Sequence, residues 1–91
     1  MQIKFDFDKQ VINLRKHGID LADAAYVFLD TCRLDGADER QDYREERRVV
    51  IGAVEDRVWV VVHTRRADAI RLISARKANE REQKCYCALH T

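Results

Sequence analysis

Residues 62–78, VHTRRADAIRLISARKA, gather Arg65, Arg66, Arg71, Arg76 and Lys77 around one histidine, His63, in a run where apolar and polar residues alternate. A guanidinium presents a planar, permanently charged fork that matches phosphate or carboxylate oxygens. An imidazole titrates near pH ~6.5 and passes protons in either direction. These residue types suit the gripping of an anion and the movement of a proton beside it. The whole chain has 91 residues and a net charge of only +1, so the positive charge must act locally. Acidic residues concentrate in 30–46 and basic ones in 65–84. That separation suggests one positive face for nucleic acid or an acidic partner segment. The competing reading is a solvated surface balanced by local ion pairs.

The elements that must position these groups are legible as one domain covering 1–91, with no proline, repeat or low-complexity linker. Residues 2–5 suit a short strand. Asp6 or Asp8 then caps a helix that carries Val11, Ile12 and Leu14 and ends at Gly18. Asp20 reads as the cap of a second helix, with Leu21, Ala24, Ala25 and Phe28 forming an amphipathic stripe. After a polar loop around 35–43, RRVVIGAV and VWVVVHTR flank Glu55, Asp56 and Arg57 as an antiparallel hairpin. AIRLISA adds a further strand, and the valine-rich strand should be central and buried on both sides. Asn79 and Glu82 have capping-box spacing, which starts a last helix whose apolar side, Cys85, Ala88 and Leu89, is thin. The expected class is therefore α+β: two N-terminal helices, an antiparallel sheet of three to four strands, and a C-terminal helix.

Cys32, Cys85 and Cys87 are an odd number and no signal-like segment precedes them, which fits a reduced, cytoplasmic chain. Cys-x-Cys with scattered histidines lacks metal-ligand spacing, so neither metal nor cofactor is expected. The longest apolar run, 58–62, is far too short to cross a bilayer.

Several segments carry a resemblance: NLRKHGI (13–19), ADAAYVFLD (22–30), RVVIG (48–52), VVVHTRR (60–66) and, most specifically, IRLISARKANEREQKCY (70–86). In this order they resemble the BrnT toxins of bacterial type II toxin–antitoxin systems. The resemblance implies a RelE-like ribonuclease fold and an RNA-cleaving toxin that inhibits translation and growth. It also implies neutralisation by a BrnA-type antitoxin in a hetero-oligomer that reaches operator DNA only through the antitoxin. Two departures stand out: Phe7 replaces a proline suited to the first helical turn, and RRAD (65–68) replaces a glycine-containing turn.

In that light the chemistry is attack of a ribose 2′-hydroxyl on the adjacent phosphorus, which needs proton transfer and stabilisation of negative charge but no metal. His63 is the expected proton carrier, on a strand that projects Trp59, Val61 and Arg65 to the same side; hydrogen bonding within the sheet is its structural alternative. Arg65, Arg71 and Arg76 are expected to cradle the phosphate. Arg71 sits between Ile70 and Leu72, which point the other way, and an ion pair is its alternative. Arg81 opens the last helix, where a bound anion offsets a cation misplaced in the helix dipole. Glu82 is a capping residue first and an acid–base candidate second. Tyr86 can stack on a base, donate its hydroxyl or pack in the core. His17, closing the first helix, is a lesser candidate, and Ser74 reads as a strand hydroxyl. Two other functions compete: a non-catalytic module that binds RNA or antitoxin as co-repressor, and a DNA-binding repressor acting alone. The last lacks a helix-turn-helix with a basic recognition helix.

Overall fold

The computed structural model describes residues 2–37 and 46–88. Strand β1 (Gln2–Lys4) leads into helix α1 (Phe7–His17), then α2 (Leu21–Ala24) running on as a 3₁₀ segment (Ala25–Leu29). Strands β2 (Leu34–Ala37), β3 (Arg47–Val54), β4 (Arg57–Arg66) and β5 (Ala69–Lys77) follow, and α3 (Glu80–Ala88) closes the chain. One five-stranded sheet runs in the order β1-β5-β4-β3-β2. The valine-rich β4 is central, as its sequence predicts.

The α+β class holds, but the sheet is larger than the expected three to four strands and is mixed, because β1 runs parallel to β5. β2 lies where a polar loop is expected, since Asp35 and Gly36 are poor strand formers. Pairing along β3, from Leu34 with Ile51 to Ala37 with Arg48, overrides that local preference at an edge. Residues 38–43 of the expected loop lie outside the described residues. Among the described residues, no helix is long and apolar enough to cross a membrane.

The second helical stripe also differs. The chain tightens to three residues per turn after Ala24, so Leu21, Ala24 and Val27 become fully buried, whereas Phe28 is only partly so. Val27 comes close to β3: a Cβ on Gly52 would meet the Val27 Cβ at 3.1 Å, so the missing side chain permits the approach. The core formed there unites Val50, Trp59, Val61, Ile70, Leu72 and Ala75 of the sheet with Ile19, Leu21, Ala24 and Val27.

Helix α1 is fixed to the sheet by one polar side chain. β1 pairs with β5 only from Ala69 to Arg71, leaving the later edge of β5 without a strand partner. Asn13, 3 % exposed, takes that place. Its Nδ2 donates to the Ala75 and Ile19 carbonyls, each at 2.9 Å, and its Oδ1 accepts from the Ala75 N–H at 2.9 Å. An amide side chain thus continues the ladder, which an apolar residue cannot do. The α1 ends follow sequence signals: Gly18 adopts φ 71 at the C-cap. Asp6 occupies the N-cap position without capping through its side chain, because its carboxylate takes the Arg71 guanidinium at 2.8 Å instead.

Asn13→Ala strands buried backbone groups of Ala75 and Ile19, and should lower the unfolding free energy by about 2–4 kcal/mol in urea titrations. A loss within the range of an exposed substitution would show that Asn13 does not anchor α1. Ala67, in the β4–β5 turn, adopts φ 50, a left-handed conformation that suits glycine. Ala67→Gly should therefore raise stability by about 0.5–1 kcal/mol in the same assay, and no gain would contradict the backbone cost assigned to Ala67.

Candidate functional site

Antiparallel partners share a sheet face, so the register sorts the expected site residues. His63 pairs with Arg48 and Leu72, on the face covered by the helices together with Trp59 and Val61. Arg71 pairs with Thr64 and Arg76 with Val60, which places both on the opposite face. Arg71 and Arg76 are an odd number of residues apart and regular alternation would separate them. A bulge at Val62/His63, where Val62 faces Ser74 and His63 faces Leu72, leaves Ile73 as an extra residue and restores both arginines to one side. The structure thus brings Arg71 and Arg76 to a common face and sets His63 and Arg65 on the other.

His63 is wholly buried, with its ring edge-on to Phe28 at 5.1 Å between centroids. Neither ring nitrogen has a hydrogen-bond partner of normal geometry. Burial pushes its pKa down, Asp35 opposes this, and Arg65 and Arg48 add to it, with a weak backbone contact at Val61 in opposition. Above it, Asp35 bridges Arg48 at 3.1 Å and Arg65 at 3.8 Å. Sequence reasoning missed Asp35 and Arg48. Arg48 falls in a segment of the resemblance, but nothing in the chain order marks Asp35 as its neighbour.

The other group forms where α1, β5 and α3 meet. Arg76 donates from both terminal nitrogens to the two Glu82 oxygens at 2.7 and 2.7 Å. Glu82 also makes the expected capping box: its Oε1 accepts from the Asn79 N–H at 2.9 Å, and its own N–H donates to Asn79 Oδ1 at 2.8 Å. Its carboxylate therefore serves helix initiation and Arg76 together. The Arg76 side chain is 34 % exposed and that of Glu82 21 %, so the pair is sheltered but accessible. His17 lies within reach of the same charge: burial lowers its pKa most, then Lys16, then Arg76. A guanidinium and a carboxylate are bonded here across β5 and α3, and the imidazole of α1 feels the guanidinium's charge.

The remaining candidates are dispersed. Arg71 is in the ion pair with Asp6, the acid coming from the β1–α1 connection rather than from a neighbouring strand. Arg81 is exposed beside Glu80 and Lys84 on the first turns of α3. Tyr86 donates its hydroxyl to Asp30 Oδ2 at 2.5 Å; that bond first, and burial second, push its pKa up to about 12. Asp30, another residue given no role by sequence reasoning, is a hub. Its Oδ2 also accepts from the Ala53 N–H at 2.9 Å, and its Oδ1 from the Cys32 N–H at 2.9 Å. α3 buries no residue of its own: Cys85 and Ala88, expected on its apolar side, are exposed, and Leu89 lies outside the described residues. Bonds through Glu82 and Tyr86 hold the helix instead.

Comparison with known proteins adds a family. The model of a family described as ribonuclease toxin, BrnT, of type II toxin–antitoxin system matches residues 5–82. No curated protein matches the chain.

The environment of His63 predicts a pH effect on stability. Its folded-state pKa lies below the unfolded value of about 6.5, so the unfolded chain binds the proton more readily. The stability associated with neutral His63 is complete above about pH 6.5 and is lost as pH falls through the folded-state pKa. The melting temperature should drop between about pH 7.5 and about pH 5, and drop less in His63→Leu. His17→Gln serves as comparator, since His17 is shifted in the same direction. Equal slopes for native protein and His63→Leu would remove His63 as the source.

Proposed function

We propose that this chain, which belongs to the BrnT family of ribonuclease toxins of type II toxin–antitoxin systems, cuts RNA where α1, β5 and α3 meet, without a metal ion. The α+β arrangement is read as RelE-like. The observation that carries the proposal is the twofold Arg76–Glu82 bond with His17 in the field of the same guanidinium. A fork that already fits a carboxylate fits phosphate oxygens equally well.

On this reading His17, neutral because its pKa is lowered, accepts the proton of the attacking 2′-hydroxyl. Arg76 meets the charge that builds on the phosphorus oxygens, while Glu82 orients it. Tyr86, held protonated on Asp30, fixes α3 and with it the position of Glu82, and the proton that His17 has taken up passes on to the leaving 5′-oxygen. Arg71 is on the same face as Arg76, and their β4 partners Thr64 and Val60 are four residues apart, roughly 13 Å at ~3.3 Å per residue. That spacing suits neighbouring phosphates better than a single one. Arg81 adds a third contact on the exposed start of α3. His63 and Arg65, expected among the catalytic groups, support the opposite face. The chain works in the cytoplasm, neutralised by a BrnA-type antitoxin in a hetero-oligomer that contacts operator DNA through the antitoxin.

A second reading, a non-catalytic module that binds RNA or antitoxin as co-repressor, is favoured by one observation. The Arg76 fork and the Tyr86 hydroxyl are both already engaged by carboxylates.

The two readings separate when purified chain is incubated with RNA in excess EDTA. Cleavage with 2′,3′-cyclic phosphate or 3′-phosphate ends is expected, with Arg76→Ala lowering the rate by about 10²–10³-fold and His17→Gln lowering it and altering its pH profile. Intact RNA that is still tightly bound would favour the module. Native cleavage by a folded Arg76→Ala protein would refute the site.

A further inference from the structure

We propose that the groove between the 3₁₀ segment and the β3–β4 hairpin docks a protein segment that presents an apolar side chain flanked by lysine or arginine. In a 3₁₀ helix side chains three apart eclipse one another, so Tyr26 and Leu29 stand in one row, which Asp23 of α2, three residues before Tyr26, extends along the groove. That row lines a groove whose other wall includes Trp59, Val54 and Glu55. Tyr26 is 58 % and Leu29 74 % exposed, so two large apolar side chains border the groove without cover. Apolar surface concentrated at a concave site is a feature of interaction surfaces rather than of solvated ones.

Charge decides the kind of occupant. Asp23, Asp30 and Glu55 line the groove against one cation, Arg57. Asp30 is turned inward, bound to Tyr86, Ala53 and Cys32, so Asp23 and Glu55 supply the outward field. Glu55 is set in the two-residue hairpin turn at φ 58. An acidic rim repels the phosphates of RNA and attracts a cationic peptide. Arg76 pairs with Val60 and so stands at the same hairpin end of β4 as the groove, but on the opposite face of the sheet from Trp59. Trp59, the sole tryptophan, is buried in the groove wall, and its indole N–H has no partner among the described residues. The inference rests on the reading that the chain works with a protein partner, which its family implies, and is independent of RNA cleavage.

Trp59 makes the groove observable through one indole N–H resonance and one fluorophore. The full chain is titrated with three probes: a helical peptide of leucine and lysine, its leucine and glutamate counterpart, and a single-stranded oligoribonucleotide. The leucine–lysine peptide should shift the indole resonance saturably, and Leu29→Lys and Glu55→Lys should each weaken it about tenfold or more. Arg76→Ala should leave that binding unchanged while altering binding of the oligoribonucleotide. Leu29 and Glu55 are exposed, so both variants are expected to fold, and circular dichroism checks this. No indole shift with the basic peptide, an equal response to the acidic peptide, or a response to the oligoribonucleotide would each overturn the proposal. So would self-association of the unliganded chain that Leu29→Lys abolishes, because the occupant would then be a second copy. Loss of RNA cleavage in the assay above, with peptide binding intact, would count against the nuclease reading alone.

Discussion

The organisation of the molecule depends on the bonds between Asn13 and Ala75. β1 is too short to cover the outer edge of β5, and an uncovered edge leaves backbone donors and acceptors unsatisfied or open to another chain. By accepting from one strand group and donating to the other, Asn13 replaces a missing strand with a side chain and seats α1 along the edge. The third bond, to Ile19, sets the chain direction after Gly18 and so the position of α2. Placing α1 here also brings His17 into the field of Arg76. A structural bond and the juxtaposition on which the proposed cleavage rests share one cause.

The two faces of the sheet divide labour. One is sealed by Leu21, Ala24 and Val27 and takes His63 into its depth, where desolvation keeps the ring neutral. The other carries Arg71 and Arg76 and is bordered by a helix held through hydrogen bonds rather than apolar burial. Glu82 and Tyr86 are central to that attachment, since each ties α3 to another element and each is a group that chemistry can use. Ion pairs at partly exposed positions contribute modestly to stability, so these contacts are better suited to positioning than to strength.

A net charge near zero conceals two local fields of opposite sign. Cationic groups occupy β5 and its flanks, while Asp23 and Glu55 rim an apolar groove at the hairpin end of β4. Such a layout allows a polyanion and a cationic peptide to meet different parts of one small surface, each steered by a local field that the total charge does not reveal.

Local physics made much of this legible in the chain itself. Gly18 marks the end of α1 because its left-handed φ costs little without a Cβ, and Asn79 with Glu82 marks the start of α3 because each side chain reaches the other's backbone N–H. Alternation also correctly set Arg71 against Ile70 and Leu72, and His63 with Val61. Tertiary structure decided what depends on partners distant in sequence. β2 exists through pairing with β3 despite Asp35 and Gly36, and the 3₁₀ tightening that buries Val27 relies on the space beside Gly52. The relative phase of β4 and β5 mattered most. One extra residue at Ile73 turned an odd spacing into a shared face for Arg71 and Arg76 and left the imidazole behind the sheet. Periodicity fixes which neighbours along a strand oppose each other, whereas only the hydrogen-bonded register between strands, bulge included, fixes which side chains from different strands meet.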